Sequence, residues 1–325
     1  MSDRKIVSVV TGCFNEVENI PEFYRRVREE LARHPQYDYE FIVADNCSTD
    51  GTREVLREIA GRDRKFRVIF NSNNFGHIRS PYHALLRSTG DIVFYLCSDL
   101  QEPPEMFSAF LEKYEAGFPV VCGIKPASRE NFLMFRLRCF YYWLLGSVSE
   151  AKQIRNFTGF GLYDRKVIEA LRQYHDPYPY FRGLISEIGF RRAEVPFVQE
   201  RRRAGRTKNN FFTLYDMAMT GFVNHTKLPL RLAVFLGGVL ALFSLLVAIG
   251  YLAYKLCFWD SFQVGQAPLV IGLFFFSAIQ LIFIGVIGEY VGAIWTRVKD
   301  RPLVIEEELL NFEPAGSAGE SRNRS

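Results

Sequence analysis

The sequence lacks the usual marks of secreted, dinucleotide-binding and nucleic-acid-binding proteins. Its six cysteines form no CxxC pair and no metal-ligand spacing, which is typical of free thiols in a reducing compartment. No GxGxxG or Walker phosphate loop is present. The net charge of +4 is mild and no basic patch is interleaved with aromatics, so no nucleic-acid partner is expected. His77 and His83 are expected to make structural or loop hydrogen bonds.

Two long runs without charged residues lie in the last third of the chain. Leu232–Tyr254 and Ser261–Gly288 each exceed the roughly 20 residues that cross a bilayer core. We therefore predict a hairpin of two transmembrane helices, at about 231–256 and 266–290, within residues 229–297. A pair of buried helices in a soluble protein is the alternative.

The charges that flank these runs predict the orientation of the hairpin. The flanking cationic residues are Lys227, Arg231, Arg297, Lys299 and Arg301. By the positive-inside rule they place both termini in the cytoplasm, in a multi-pass protein of the cell (inner) membrane. Residues 298–325 are then a cytoplasmic tail, partly disordered from Phe312 onward. Glu289 is expected at the inner interface rather than in a buried functional role.

Residues 1–210 alternate apolar runs with amphipathic helical stretches, as α/β domains do. Strands are predicted at Lys5–Thr11, Tyr39–Asp45, Phe66–Asn71 and Ile92–Cys97, with helices at Ile20–Arg33, Thr52–Ala60 and Ser80–Ser88. The strand runs are short and mostly apolar or β-branched, which is typical of buried parallel strands. We expect a cytoplasmic, Rossmann-like domain with a mostly parallel sheet, and ligands at the carboxyl ends of its strands.

Two aromatic segments are predicted to lie in the membrane plane. Residues 131–147 are too short and too charged to span a bilayer. An interfacial helix that brings Arg136 and Arg138 to lipid phosphates is favoured over a buried core helix. Residues 211–228 place aromatic side chains along one side and predict a second interfacial helix. Membrane lipids are therefore expected partners.

An acidic loop follows the strand predicted at Ile92–Cys97. In an extended chain, side chains two apart point the same way, so Asp99 and Gln101 could share one cation. Oxygen ligands favour Mg²⁺ or Mn²⁺, which commonly bind between a carboxylate and a phosphate. A structural Asp before a Pro-started helix is the alternative. At the end of another predicted strand, Asp45 suits hydrogen bonding to a base or ribose hydroxyl, whereas Asp50 is better explained as a turn and cap residue.

Four motifs in order resemble family 2 glycosyltransferases of the GT-A fold. They are Asn15-Glu16, Asp45–Thr52 (DNCSTDGT), Asn74–His77 (NFGH) and Ser98–Glu105 (SDLQEPPE). With the predicted hairpin, residues 5–300 are similar to the polyprenyl-phosphate glycosyltransferases, which include dolichol-phosphate mannose synthase and the bactoprenol glucosyltransferases. The resemblance implies a metal-dependent, inverting transfer of one sugar from a nucleotide-sugar to undecaprenyl phosphate in the cytoplasmic leaflet. A UDP-hexose donor is favoured over a GDP-sugar.

The resemblance also implies roles for individual residues. The nucleotide would contact Asn15, Glu16, Asp45 and Ser98. The cation would bind Asp99 and Gln101, and the catalytic residues would be Asp99, Arg202 and Lys208. The acceptor phosphate would contact Lys125, Arg129, Arg136, Arg138, Arg202 and Lys208.

Two positions depart from the pattern of the family. Cys97 stands where the family usually has the first acid of an Asp-x-Asp pair, and Gly159 stands where many members have an Asp proposed as the base. The reaction depends little on a base, because a phosphate monoester has a second pKa of about 6 and is largely unprotonated at neutral pH. Such an acceptor needs charge neutralisation and positioning more than it needs a base.

Three other functions stay open. A catalytically impaired membrane subunit or scaffold of a glycan pathway would explain Cys97 and Gly159. A processive polysaccharide synthase shares the fold, but its Gln-x-x-Arg-Trp motif and additional spans are not found in the sequence. A hairpin-anchored transport component would need polar residues within its spans. A homo-oligomer is compatible with the sequence, which does not identify the sugar.

Overall fold

The computed structural model describes residues 4–125, 154, 156–174, 176, 179–200, 266–298 and 301–312, with scattered residues between 235 and 257. These residues belong to two compact units. The first unit holds the described residues up to 125, those from 154 to 200 and those from 301 to 312. The second unit holds the described residues between 235 and 298.

The first unit is an α/β domain built around one mixed β-sheet. Its described strands are β1 (Ile6–Cys13), β2 (Asp38–Asp45), β3 (Phe66–Asn71), β4 (Ile92–Tyr95), β5 (Val120–Ile124), β6 (Phe157–Asp164), β7 (Arg192–Pro196) and β8 (Glu306–Leu310). Its described helices are α1 (Ile20–Ala32), α2 (Thr52–Arg62), α3 (Gly76–Leu86), α4 (Met106–Glu115), α5 (Arg165–Arg172) and α6 (Phe181–Ile188). The strand order is β7-β5-β6-β4-β1-β2-β3-β8. The predicted α/β class is confirmed.

The centre of the sheet is parallel, as predicted. Strand β1 pairs in parallel with β2 and β4, and β2 pairs in parallel with β3. Strand β6 runs antiparallel to both β4 and β5, while β5 and β7 are parallel. Helices cover both faces, which is why the central strands are apolar along nearly their whole length. On one face Phe94 packs its ring against Phe107 and Phe160, with centroids 5.2 and 5.8 Å away.

Strand β8 lies within residues 298–325, which we expected to be a tail, and the sequence analysis did not predict it. It pairs antiparallel with β3 and covers that edge of the sheet. Three glutamates attach it to neighbouring helices, through Glu306 with His83 (2.7 Å), Glu307 with Arg53 (2.9 Å) and Glu308 with Arg57 (2.7 Å). The structural role expected for His83 is therefore confirmed.

The second unit contains helix α7 (Gln266–Val298), in which the helix predicted at 266–290 lies. Its window Phe275–Gly292 has a mean hydropathy of 1.7, and α7 is the one helix of the described residues that is long and apolar enough to cross a membrane. The described residues between 235 and 257 are helical. A two-helix hairpin is not confirmed. The interfacial helices predicted at 131–147 and 211–228 lie outside the described residues.

Asn311, directly after β8, fixes the end of this strand to the first unit, and its replacement tests how much that attachment contributes to stability. Its Nδ2 donates to the carbonyls of Ala60 and Phe66, both at 2.8 Å, and its φ of 59° is left-handed. We expect Asn311→Ala to lower the free energy of unfolding by about 2–3 kcal/mol, through lost hydrogen bonds and backbone strain.

The matched variant Asn311→Gly removes the same hydrogen bonds but tolerates a left-handed φ, so its loss should be smaller by about 1 kcal/mol. Thermal unfolding of the full chain in detergent measures both variants. Equal stability of the wild type and Asn311→Ala would show that β8 is not fixed in this way.

Candidate active site

The first two loops at the carboxyl edge of the sheet are joined by reciprocal hydrogen bonds. The backbone N–H of Asn15 donates to Ser48 Oγ (2.9 Å), and Asn15 Oδ1 accepts from the backbone N–H of Thr49 (2.9 Å). The N–H of Glu16 donates to Thr52 Oγ1 at 3.0 Å. Asn15 can make both contacts because its φ of 56° turns the chain sharply after β1. The predicted nucleotide residues Asn15 and Glu16 are thus fixed to the loop that follows β2.

Asp45 lies beneath these loops and is fully buried. Its Oδ2 accepts from the backbone N–H of Ser48 (3.2 Å) and from Arg53 Nε (2.8 Å). Arg53 also donates to the carbonyl of Asn71 at 2.7 Å and pairs with Glu307 of β8. In this arrangement Asp45 positions the second loop. Its predicted contact with a base or ribose stays a prediction.

Asp50 has the turn role that its position in the sequence indicated. Its Oδ1 accepts from the backbone N–H of Thr52, the first residue of α2, at 3.0 Å, and its Oδ2 accepts from that of Val17 at 3.3 Å. Burial acts to raise the pKa of Asp50, but the hydrogen bonds from Thr52 and Val17 prevail and the pKa is lowered. The carboxylate therefore stays charged while it holds the first loop against the second.

The third loop differs from our expectation in its backbone. Strand β4 ends at Tyr95, and Leu100 has a φ of 58°, so Asp99 and Gln101 do not lie on one face of an extended chain. They lie in a turn, in which the N–H of Gln101 donates to Asp99 Oδ1 at 3.2 Å. The chain turns here because Leu100, which lies between Asp99 and Gln101 in the sequence, is buried in the core. Leu100 is 1% exposed. The extended chain predicted here is wrong, although the turn still keeps Asp99 and Gln101 together.

Ser98 fixes this third loop to the first strand. The Ser98 hydroxyl donates to the carbonyl of Gly12, near the end of β1, at 3.0 Å. Ser98 is 4% exposed. The predicted nucleotide residue Ser98 therefore joins the loop after β4 to the loop after β1. Its contact with a nucleotide stays a prediction.

Glu102 is a buried carboxylate that the sequence analysis did not single out. Its Oε2 accepts from the backbone N–H of Cys97 (2.9 Å) and its Oε1 accepts from Thr158 Oγ1 (2.7 Å). Burial raises the pKa of Glu102. Cys97 is exposed at the surface. Desolvation by nearby protein atoms and the charges of Glu102 and Asp99 nevertheless raise the pKa of its thiol well above the usual value.

The backbone explains the glycine at position 159. Gly159 has a left-handed φ of 105°, and a Cβ there would lie 3.3 Å from the rings of both Tyr95 and Phe181. Tyr163 donates its hydroxyl to the Gly159 carbonyl at 2.6 Å. A side chain at position 159 would therefore strain the backbone and require the two rings to shift slightly.

The segment after β7 lies against the third loop. The N–H of Glu200 donates to the carbonyl of Gln101 at 3.1 Å. Arg26 of α1 pairs with both Glu105 (2.7 Å) and Glu200 (3.0 Å). The basic stretch Arg201–Lys208 begins in sequence directly after this anchored residue.

The predicted phosphate-binding residues are mostly beyond what the structure describes. Lys125 directly follows β5, and its N–H donates to the carbonyl of Asn156 at 3.1 Å. Arg129, Arg136, Arg138, Arg202 and Lys208 lie outside the described residues. Of the six, only Lys125 can be located, and its contact with an acceptor stays a prediction.

The donor set fits a cation that is shared with a ligand. In the part of the chain that the structure describes, no group of three or more His, Cys, Asp or Glu side chains could hold a metal ion. Asp99 and Gln101 bring oxygen donors, which suit Mg²⁺ or Mn²⁺, and such ions take further ligands from phosphates and water. His77 does not add to this set. Its pKa is lowered by burial and by the charge of Arg182.

Comparisons with known proteins agree with the motif pattern. Residues 8–172 match the model of the family described as glycosyl transferase family 2. The chain is 31% identical to an uncharacterized glycosyltransferase, YkcC, of Bacillus subtilis over 96% of its own length and 97% of that protein. It is 30% identical to a prophage-derived bactoprenol glucosyl transferase of Shigella flexneri, over 92% and 96% of the two chains.

Among solved structures, the chain is similar to a mannosyltransferase of Pyrobaculum calidifontis in complex with GDP-Man and Mn²⁺. The two are 18% identical, with a TM-score of 0.47. The match covers 92% of this chain and 88% of that one.

Gly159 and Gly117 form a matched pair for testing position 159. Both have a left-handed φ, of 105° and 92°, but a Cβ at Gly117 meets nothing within 4 Å. We expect Gly117→Ala to lower the free energy of unfolding by about 1–2 kcal/mol from strain alone. Gly159→Ala should cost about 1–3 kcal/mol more, because its Cβ also crowds two rings.

For the same reason, Gly159→Asp should reduce transfer activity rather than increase it. Thermal unfolding and initial rates measure these effects. A more active Gly159→Asp protein would show that a carboxylate fits there and helps the reaction.

Proposed function

We propose that this chain, which belongs to glycosyl transferase family 2, transfers one sugar from a nucleotide-sugar to a polyprenyl phosphate. The observation that carries the proposal is the joining of three polar loops at the carboxyl edge of β1, β2 and β4. Ligands bind at this edge in open α/β sheets. The polyprenyl acceptor is supported by relatives named bactoprenol glucosyl transferases, similar over 92% of the chain.

The donor nucleotide would bind across the first and second loops. Asn15, Glu16 and Ser98 lie where these loops and the third meet, and Asp45 supports them from below. We favour a UDP-hexose as donor over a GDP-sugar. The nucleotide part would be held by groups that are already ordered by hydrogen bonds, so little further ordering is needed on binding.

Asp99 and Gln101 would hold Mg²⁺ or Mn²⁺ against the diphosphate of the donor. Such a cation neutralises charge on the departing nucleoside diphosphate. An oxygen of the acceptor phosphate forms the new bond to the anomeric carbon as the bond to the diphosphate oxygen breaks, so the transfer inverts the configuration. The acceptor phosphate arrives as an anion and needs no base, so the reaction does not require a carboxylate at position 159, where a side chain would be strained.

The acceptor phosphate would be held by cationic side chains. Lys125 is the described member of this set, and we assign Arg129, Arg136, Arg138, Arg202 and Lys208 to the same role from the sequence. The N–H of Glu200 donates to the Gln101 carbonyl, and the basic stretch follows Glu200 directly in the sequence. A membrane location is supported by α7, and we propose the two-helix hairpin with both termini in the cytoplasm.

A transfer assay tests this proposal. Full-length protein in detergent is incubated with undecaprenyl phosphate, Mn²⁺ or Mg²⁺, and a panel of labelled nucleotide-sugars. With one of the donors, label should move into the organic phase, and each lipid should receive one sugar. EDTA should abolish this transfer. Asp99→Asn should lower the rate at least about 100-fold, because charge on the leaving group is no longer offset. Glu112→Gln, on the exposed face of α4, is the control and should leave it unchanged.

The same assay separates the alternatives. Lipid carrying a growing polymer would indicate a processive synthase. Measurable nucleotide binding without transfer from any donor would contradict the proposal and favour a scaffold.

A further inference from the structure

We infer that Arg53 is a positioning residue for the donor nucleotide, and that Glu307 of β8 contributes to donor binding through it. The inference rests on the proposed function, because it concerns the loop after β2, over which the nucleotide would bind. Arg53 would not touch the nucleotide itself. It would act by holding Asp45, the buried acid that shapes this loop.

The loop after β2 turns sharply at Cys47, whose backbone is left-handed with a φ of 64°. Such a conformation is strained for a residue other than glycine, so contacts on either side have to hold it. One of these contacts spans the turn, since the N–H of Ser48 donates to Asp45 Oδ2 at 3.2 Å. Ser48 Oγ in turn accepts from the N–H of Asn15 at 2.9 Å, in the loop after β1. The position of the Asp45 carboxylate therefore affects both loops of the proposed nucleotide site.

Arg53 holds this carboxylate with a guanidinium group in which each nitrogen has a different partner. Nε donates to Asp45 Oδ2 (2.8 Å), one terminal nitrogen donates to the Asn71 carbonyl at the end of β3 (2.7 Å), and the other donates to Glu307 (2.9 Å). Asp45 is 0% exposed, and Arg53 is the one cation that pairs with it in the part of the chain that the structure describes. Loss of Arg53 would therefore leave a buried charge without its partner.

Arg57, one turn further along α2, shows what is particular to Arg53. It also pairs with a glutamate of β8, Glu308, at 2.7 Å, and its guanidinium also lies over the Phe70 ring. Within the described residues, however, Arg57 forms no hydrogen bond or ion pair with Asp45. Both arginines attach β8 to α2, but Arg53 also links this attachment to the carboxylate beneath the proposed nucleotide site.

The test measures nucleotide binding to the full chain in detergent by isothermal titration calorimetry, with UDP and with GDP in the presence of Mn²⁺. In Arg53→Gln, the nucleotide that the wild type binds should bind about 10-fold more weakly, because the loop after β2 must then be ordered on binding. Arg57→Gln is the matched control, since it loses the same kind of pairing with β8 but leaves Asp45 paired. It should change the affinity less than about 2-fold.

A rate measurement separates positioning of the donor from a general loss of folded protein. In Arg53→Gln, KM for the labelled donor should rise about 10-fold, while the rate at saturating donor stays within about 2-fold of the wild type, because Arg53 touches no reacting atom. A lower maximal rate with an unchanged KM, as loss of folded protein gives, would contradict the inference.

Glu307 provides a second variant that the fold should tolerate. Its side chain is 52% exposed, and its replacement leaves Asp45 paired with Arg53. Glu307→Gln frees one side of the guanidinium and should weaken nucleotide binding about 2- to 3-fold, as expected for an exposed pair. Glu308→Gln, which removes the partner of Arg57, should leave the affinity unchanged. This pair decides the matter should Arg53→Gln fail to fold, which thermal unfolding would show.

Each outcome bears on a different claim. Wild-type affinity in Arg53→Gln, or equal losses in the Arg53 and Arg57 variants, would overturn the role of Arg53 while the proposed function stands. Equal affinities of Glu307→Gln and Glu308→Gln would overturn the contribution of β8. A wild type that binds neither UDP nor GDP would contradict the donor site of the proposed function, and this inference with it.

Discussion

The parallel pairing of β1 with β2 and β4 is the constraint on which the rest of the site depends. Cys13 lies opposite Asp45 in the register, so the loops that follow β1 and β2 leave the sheet side by side. Strand β4 pairs with the other side of β1, which brings the third loop to the same edge. Apolar side chains are fully buried on both faces of these strands, and their packing against the helices on each face holds the strands in this register.

Hydrogen bonds then convert three adjacent loops into one framework. Asn15 joins the first to the second, Ser98 joins the first to the third, and Glu102 joins the third to β6. Arg53 extends the framework to β8, since it contacts both Asp45 and Glu307. The part of the sequence that follows the apolar helix α7 thus supports the loop after β2.

The sequence predicted the parts of the fold that depend on local pattern. The strand at Phe66–Asn71 was predicted at its observed bounds. A strand that is buried on both faces appears in the sequence as a short, mostly apolar run, which can be recognised without knowing its neighbours. Strand β8 was missed because its sequence EEELL carries no such signal, and its conformation comes from the exposed edge of β3 and three arginine or histidine partners. The turn at Asp99 was misjudged because Leu100 enters the core, and Glu102 is hydrogen-bonded to Thr158, which lies 56 residues away in the sequence.

A crystal structure of the full chain with Mn²⁺ and the donor nucleoside diphosphate would show where the cation and the nucleotide bind. We expect an anomalous manganese peak within coordination distance of Asp99 and the diphosphate, with the base lying over the loops after β1 and β2. Manganese bound away from Asp99, or a nucleotide bound at another edge of the sheet, would contradict it.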